Sequence, residues 1–148
     1  MHSFHSCLMH CVFSIKDRAP MLTAEIRARL WPYLGAIARE NGMKALAVGG
    51  VGDRVHLVLS LPATLAVAKA VQLLKANSSK WLHETFPAMA NVSWQEGYGA
   101  FSIGPADIDR TVAYIRNQEE RHRARTFREE FELFLRRNGL DYDDSMLA

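Results

Sequence analysis

The stretch Asp53-Arg54-Val55-His56-Leu57-Val58-Leu59-Ser60-Leu61-Pro62 (DRVHLVLSLP, 53–62) decides how the rest of the chain is read. Its side chains alternate. Val55, Leu57, Leu59 and Leu61 fall on one face and Arg54, His56, Val58 and Ser60 on the other, the period-two pattern of a strand with one buried side. Pro62 has no N–H for a ladder and ends the run. The leucine face demands a covering layer, so helices belong on it. Arg54 and His56 then project together from the opposite, open face. Taken alone, His56 reads more simply as a partly exposed strand residue.

Outward from this strand, the other elements follow. The turn Gly49-Gly50-Val51-Gly52-Asp53 links it back to an apolar run over 43–50, a second strand in a hairpin. Upstream, Thr23 is a plausible N-cap for a helix in which Ile26, Leu30, Leu34 and Ile37 recur at helical spacing and Asn41-Gly42 supplies the stop. Pro32 falls inside that pattern and predicts a kink. Residues 6–14 (SCLMHCVFS) read as the first strand. Downstream, Val67, Val71, Leu74, Ser78 and Trp81 stripe a helix over about 65–86, and 92–103 (VSWQEGYGAFSI) reads as a fourth strand bent at Gly97 and Gly99. A polar helix follows over 106–122 and an amphipathic one over 126–138, with an acidic, loose tail from 141 to 148.

Strand, helix, strand, strand, helix, strand is the order of an α+β, ferredoxin-like split βαβ sandwich: a four-stranded antiparallel sheet with two helices on one face. We expect a single domain over 1–148, with the sandwich over 1–104, C-terminal helices over 105–138 and a tail over 139–148. The composition agrees with this. At 148 residues, 49% apolar and 23% charged, the chain matches a soluble globular domain rather than a disordered or fibrous one. No apolar run approaches the roughly 20 residues of a membrane span, and the start Met1-His2-Ser3-Phe4-His5 lacks a signal-peptide pattern. The expectation is a cytoplasmic protein without membrane association. A net charge of +2 is compatible with nucleic acid and does not demand it. Cys7 and Cys11 lie about 13 Å apart along one strand, beyond disulfide reach, and are expected to be reduced, buried and structural.

The helix over 106–122 carries the second set of candidate residues. Tyr114 and Gln118 are four apart and share a face, with Arg110 and His122 extending the row, while Val112 and Ile115 are the alternative core contacts. A tyrosine in such a helix is more commonly packed than reactive. No Ser/His/Asp set, phosphate-cradling loop or pair of carboxylates offers itself elsewhere, and no nucleotide cofactor is implied.

At these residues the chain resembles the single-tyrosine HUH transposases of small bacterial insertion sequences, the IS200-like transposases with their REP-associated relatives. The resemblance is carried by HCVFSIKDR at 10–18, DRVHLVLSLP at 53–62, KANSSKWL at 75–82, WQEGYGAFSI at 94–103 and YIRNQEERHR at 114–123. It implies the same split βαβ sheet, a homodimer, and action on hairpin-containing single-stranded DNA. It also implies Tyr114 as nucleophile, with His56 and Gln118 holding a divalent cation, Mg²⁺ or Mn²⁺. A metal polarises the scissile phosphate. The tyrosine forms a 5′-phosphotyrosine link and releases a 3′ hydroxyl, which permits rejoining without ATP.

The chain departs from the family at one ligand. The family's first triplet histidine is Arg54 here, and a guanidinium cannot ligate a metal. Three outcomes stay open. Arg54 pairs directly with the phosphate; or His10, on the strand beside His56, or His122, one turn past Gln118, replaces the ligand; or the site has decayed and the protein only binds DNA. Candidate DNA-binding residues are Lys16, Arg18, Lys75, Arg110 and Arg121, among other basic residues that include Lys69, Lys80, Arg116, Arg123 and Arg125. Glu119, Glu120, Glu129 and Glu130 partly offset the basic cluster over 121–128. Two other readings compete with a strand transferase: a DNA-binding module of the same fold, and an RNA-binding sheet domain, against which the lack of stacking aromatics on strand one counts.

Overall fold

Four strands, β1 (Leu8–Ser14), β2 (Lys44–Val51), β3 (Arg54–Ser60) and β4 (Gly99–Ile103), form one antiparallel sheet in the order β2-β3-β1-β4. This is the split βαβ arrangement expected from the sequence. The computed structural model describes residues 1–118 and 125–147.

Helices α1 (Ala24–Glu40) and α2 (Val67–Thr85) cover one sheet face. The leucine side of β3 lies there: Val55, Leu57, Leu59 and Leu61 pack with Cys11, Phe13 and Ile15 of the first strand region, Leu30 and Leu34 of α1, and Val71 and Leu74 of α2. Thr23 caps α1, its hydroxyl accepting the Ile26 N–H at 3.3 Å. Gly42, at φ +76°, makes the left-handed turn that releases the chain into β2. α1 runs unbroken from Ala24 to Glu40 with Pro32 inside it. Both Pro32 and Ala28, whose carbonyl loses its helical partner, face solvent, where water supplies the missing donor.

Several boundaries differ from expectation. The first strand begins at Leu8, which leaves Cys7 exposed while Cys11 is buried. The fourth strand occupies only the second half of its predicted span. Trp94 makes an isolated bridge to Ile15, and Gly97 at φ +89° then carries the chain out of the ladder. The tail does not hang loose: Asp144–Leu147 forms a 3-10 turn, Leu147 is buried, and its carbonyl accepts from Arg18.

The larger difference concerns the second sheet face. It is covered, by α3 (Ile108–Arg116) over β2 and β3 and by α4 (Phe127–Arg137) over β1 and β4. On α4, Phe127, Phe131 and Phe134 form a stripe that needs burial, and Val12 and Phe101 supply the surface for it. Arg54 and His56 are therefore wholly buried rather than displayed on an open face.

Candidate functional site: a tyrosine, two histidines and a buried carboxylate

Three elements aim polar side chains into the space under α3 and α4. The antiparallel register of β1 and β3 pairs Val12 with His56 and His10 with Val58, so the two histidines are diagonal neighbours on one face. His10 Nε2 lies 2.8 Å from His56 Nδ1. From α3, Tyr114 stands over them, its ring 5.9 Å from that of His56 and 6.3 Å from that of His10. Gln118, one turn on, is buried beside it.

The centre of the site is Glu130 of α4, which the sequence reading counted only as a charge offsetting nearby arginines. Its Oε1 accepts from Arg54 Nη1 and from His56 Nε2, both at 2.9 Å. Its Oε2 accepts from the Tyr114 hydroxyl and, at 3.3 Å, from Gln118 Nε2. Arg54 is anchored further by Asp53, with Nε to Oδ1 at 3.0 Å. The signal for Glu130 was present in the sequence. Phe127, Glu130, Phe131 and Phe134 share one face of α4, and a carboxylate in an apolar stripe must find buried partners.

Burial alone would raise the Glu130 carboxyl. The hydrogen bond and charge of His56, the Tyr114 hydroxyl and the Arg54 charge outweigh it and hold the group ionised, well below the usual carboxylate range. Burial pushes the Tyr114 phenol up, and the charge and hydrogen bond of Glu130 add to that, against smaller opposing effects of Gln118 and Arg125. His10 is lowered to about 3 by burial and then by His56, with Glu130 opposing, so it is neutral at pH 7. Because Glu130 only accepts, His56 Nε2 carries a proton.

Beside this network opens a cleft of about 600 Å³, with Tyr114, Phe101 and Phe134 on its walls and Arg110, Arg125 and Arg137 among its lining. Of the expected DNA contacts, Arg110 is on this cleft, exposed and paired with Asp107 at 2.6 Å. Lys16 is exposed elsewhere. Arg18 lies 5.8 Å from the centre of the Phe127 ring and donates to the tail, and Lys75 ties the Gln95 and Gly97 carbonyls to α2. Arg121 and His122 lie outside the described residues.

A divalent cation fits these side chains poorly as they stand. Both nitrogens of His56 are engaged, and Arg54 sets a fixed positive charge against the Glu130 carboxylate and holds Asp53 as well. Among the described residues no three His, Cys, Asp or Glu side chains stand in a ligating group. Gln118 Oε1, buried without a hydrogen-bond partner, is the exception, with lone pairs to offer.

Comparison with known proteins bears on the family and the fold. A curated relative is the ISDra2 transposase TnpA of Deinococcus radiodurans, 28% identical over 85 residues that make up 57% of this chain and 61% of the relative. The chain thus matches less than two thirds of that relative's length. A crystallised Deinococcus radiodurans protein assigned as a transposase superposes with a TM-score of 0.65 at 24% identity, over 80% of this chain and 95% of the other. A REP-associated tyrosine transposase bound to a REP hairpin superposes with a TM-score of 0.60 at 14% identity, over 82% and 74%. These likenesses are of fold. The family described as "Transposase IS200 like" matches residues 3–118, a span that takes in Arg54, His56, Tyr114 and Gln118, and the chain belongs to that family.

Proposed function

We propose that the protein cleaves and rejoins single-stranded DNA through Tyr114. The phenol oxygen bonds to phosphorus and gives its proton to solvent, the bond to the 3′ oxygen breaks, and that oxygen takes a proton from solvent and leaves as a hydroxyl. Arg54 and His56 contact the reacting phosphate and offset the charge that builds on it, and Gln118 orients the group. The DNA follows the cleft lined by Arg110, Arg125 and Arg137, with Phe134, only partly buried, as a stacking surface. The observation that supports this reading best is the convergence of the Tyr114 hydroxyl with His56, Arg54 and Gln118 around one carboxylate, at the edge of a cationic cleft. Hairpin-containing strands and a homodimer complete the proposal by analogy with the family.

The test is a labelled hairpin oligonucleotide incubated with the protein in Mg²⁺, in Mn²⁺ and in EDTA. An adduct that survives denaturation and disappears in Tyr114→Phe is the expected result. Persistence of the adduct in EDTA assigns the phosphate's counter-charge to Arg54 and His56, and its restriction to Mg²⁺ or Mn²⁺ assigns part of it to a cation. A second reading, a DNA-binding module without strand transfer, draws on the raised Tyr114 phenol and its tie to Glu130. Retardation of the oligonucleotide without an adduct in any condition decides for that reading.

A further inference from the structure

Four hydrogen-bond donors point at one place: Arg54 Nη1 and His56 Nε2 from β3, the Tyr114 hydroxyl from α3, and Gln118 Nε2 just beyond α3. The occupant is the carboxylate of Glu130. A carboxylate and a phosphodiester present the same thing to such a set, a delocalised anion with two acceptor oxygens. Arg54, wholly buried, and protonated His56 Nε2 suit either anion. We propose that these donors form a phosphodiester site and that Glu130 fills it as an internal stand-in, so that nucleic acid enters only when α4 withdraws the carboxylate. The proposal rests on the reading of Tyr114 as a DNA-cleaving residue and adds to it the ligand class of the buried donors and a gate.

Two further observations favour a removable occupant. Among the described residues the closed arrangement gives the buried Gln118 Oε1 no donor, a cost that opening to water relieves. The helix that carries Glu130 also contributes Phe134 and Arg137 to the cleft beside Tyr114, so moving α4 outward withdraws the stand-in and widens the cleft in one step. In the closed state the phenol is held protonated against an anion, which keeps the nucleophile silent without DNA.

The experiment uses inorganic sulfate as the anion probe, in EDTA and at constant ionic strength, with thermal melting as the readout. Wild type is expected to melt at the same temperature in sulfate as in chloride. Glu130→Ala is expected to be stabilised by sulfate, with an apparent affinity at least tenfold above that of wild type, and Glu130→Gln to a lesser extent. Adding Arg54→Gln to Glu130→Ala is expected to abolish the gain. Equal sulfate response in wild type and both Glu130 variants overturns the proposal. Should Glu130→Ala not fold, Glu130→Gln and the unaltered protein decide it. In the latter, amide exchange over 127–137 is expected to accelerate about fivefold with a saturating single-stranded oligonucleotide, and unchanged or slower exchange overturns the gate. The two proposals fail separately. A Tyr114 adduct with no effect of residue 130 on anion binding leaves the cleavage reading and removes this one. Sulfate binding unmasked by Glu130→Ala, with the oligonucleotide bound and exchange over 127–137 accelerated but no Tyr114 adduct, does the reverse.

Discussion

Gly49 of β2 is where α3 rests on the sheet, and replacing it with alanine tests whether that seat positions Tyr114. A Cβ at Gly49 would lie 2.6 Å from Ile115 Cγ2 and 3.0 Å from the Ile115 carbonyl oxygen. The side-chain methyl can swing aside, but the carbonyl belongs to the helix backbone. Restoring ordinary contact at roughly 3.5 Å then requires α3 to move by about 0.5 Å. Overpacking of this kind costs about 1–3 kcal/mol. For a chain of this size that corresponds to a fall in melting temperature of roughly 2–12 °C. Tyr114 is the neighbour of Ile115 and moves with it; a misplacement of about 1 Å can cost a reaction on the order of 100-fold, and about half that shift should cost roughly tenfold. Gly35, inside α1, is the control, since its Cβ would meet nothing within 4 Å. Gly35→Ala should stabilise the protein by about 0.5–1 kcal/mol through helix propensity alone. Thermal melts of both variants, with adduct formation on a hairpin oligonucleotide, read the two effects. If Gly49→Ala melts with wild type, α3 does not sit on the sheet at this point. If it is destabilised while adduct formation is unchanged, the position of α3 does not limit Tyr114.

Three other outcomes follow from the buried network and the caps. Arg54→Met leaves Glu130 and Asp53 without their buried cation and should cost about 3–5 kcal/mol in urea melts, whereas Arg54→Met with Glu130→Leu should recover most of it. His10 has its folded pKa lowered to about 3 from an ordinary 6.5, so its contribution is present above pH 6.5 and is lost as the pH falls toward 3. Stability should drop by about 1.4 kcal/mol per unit across that window. His10→Gln should flatten the slope between pH 6.5 and 5, where the lowered Glu130 does not yet contribute. Thr126→Ala removes the hydroxyl that accepts the Glu129 N–H at 3.2 Å and should cost about 1 kcal/mol, most visibly as faster amide exchange in the first turn of α4.

The sandwich was legible because its signals are local. The alternation of β3, the Thr23 cap and the stripe of α1 each state an element without reference to the rest of the chain. Where the reading erred, a distant contact decided. The loop before β4 looks like a strand, yet Gly97 and the tether from Lys75 hold it off the ladder. Of the site, Tyr114, Gln118, His56, Arg54 and His10 were all named, and the structure brings them together. Glu130 was missed because its charge was set against neighbouring arginines, not against the phenylalanines that share its side of the helix. The same stripe explains why the second sheet face, expected to be bare, is roofed.

The break between Cys7 and Leu8, where coil becomes strand, gives the protein a ready chemical handle. Cys7 is exposed, whereas burial raises Cys11 to about 12 and leaves almost no thiolate to react near neutral pH. A maleimide dye should therefore attach at one place in the unaltered chain. Three residues of extended backbone separate that place from His10, roughly 10 Å. A fluorophore there would sit close enough to register by quenching or anisotropy when a nucleic acid strand enters the cleft that His10 helps to line, with no engineered cysteine required.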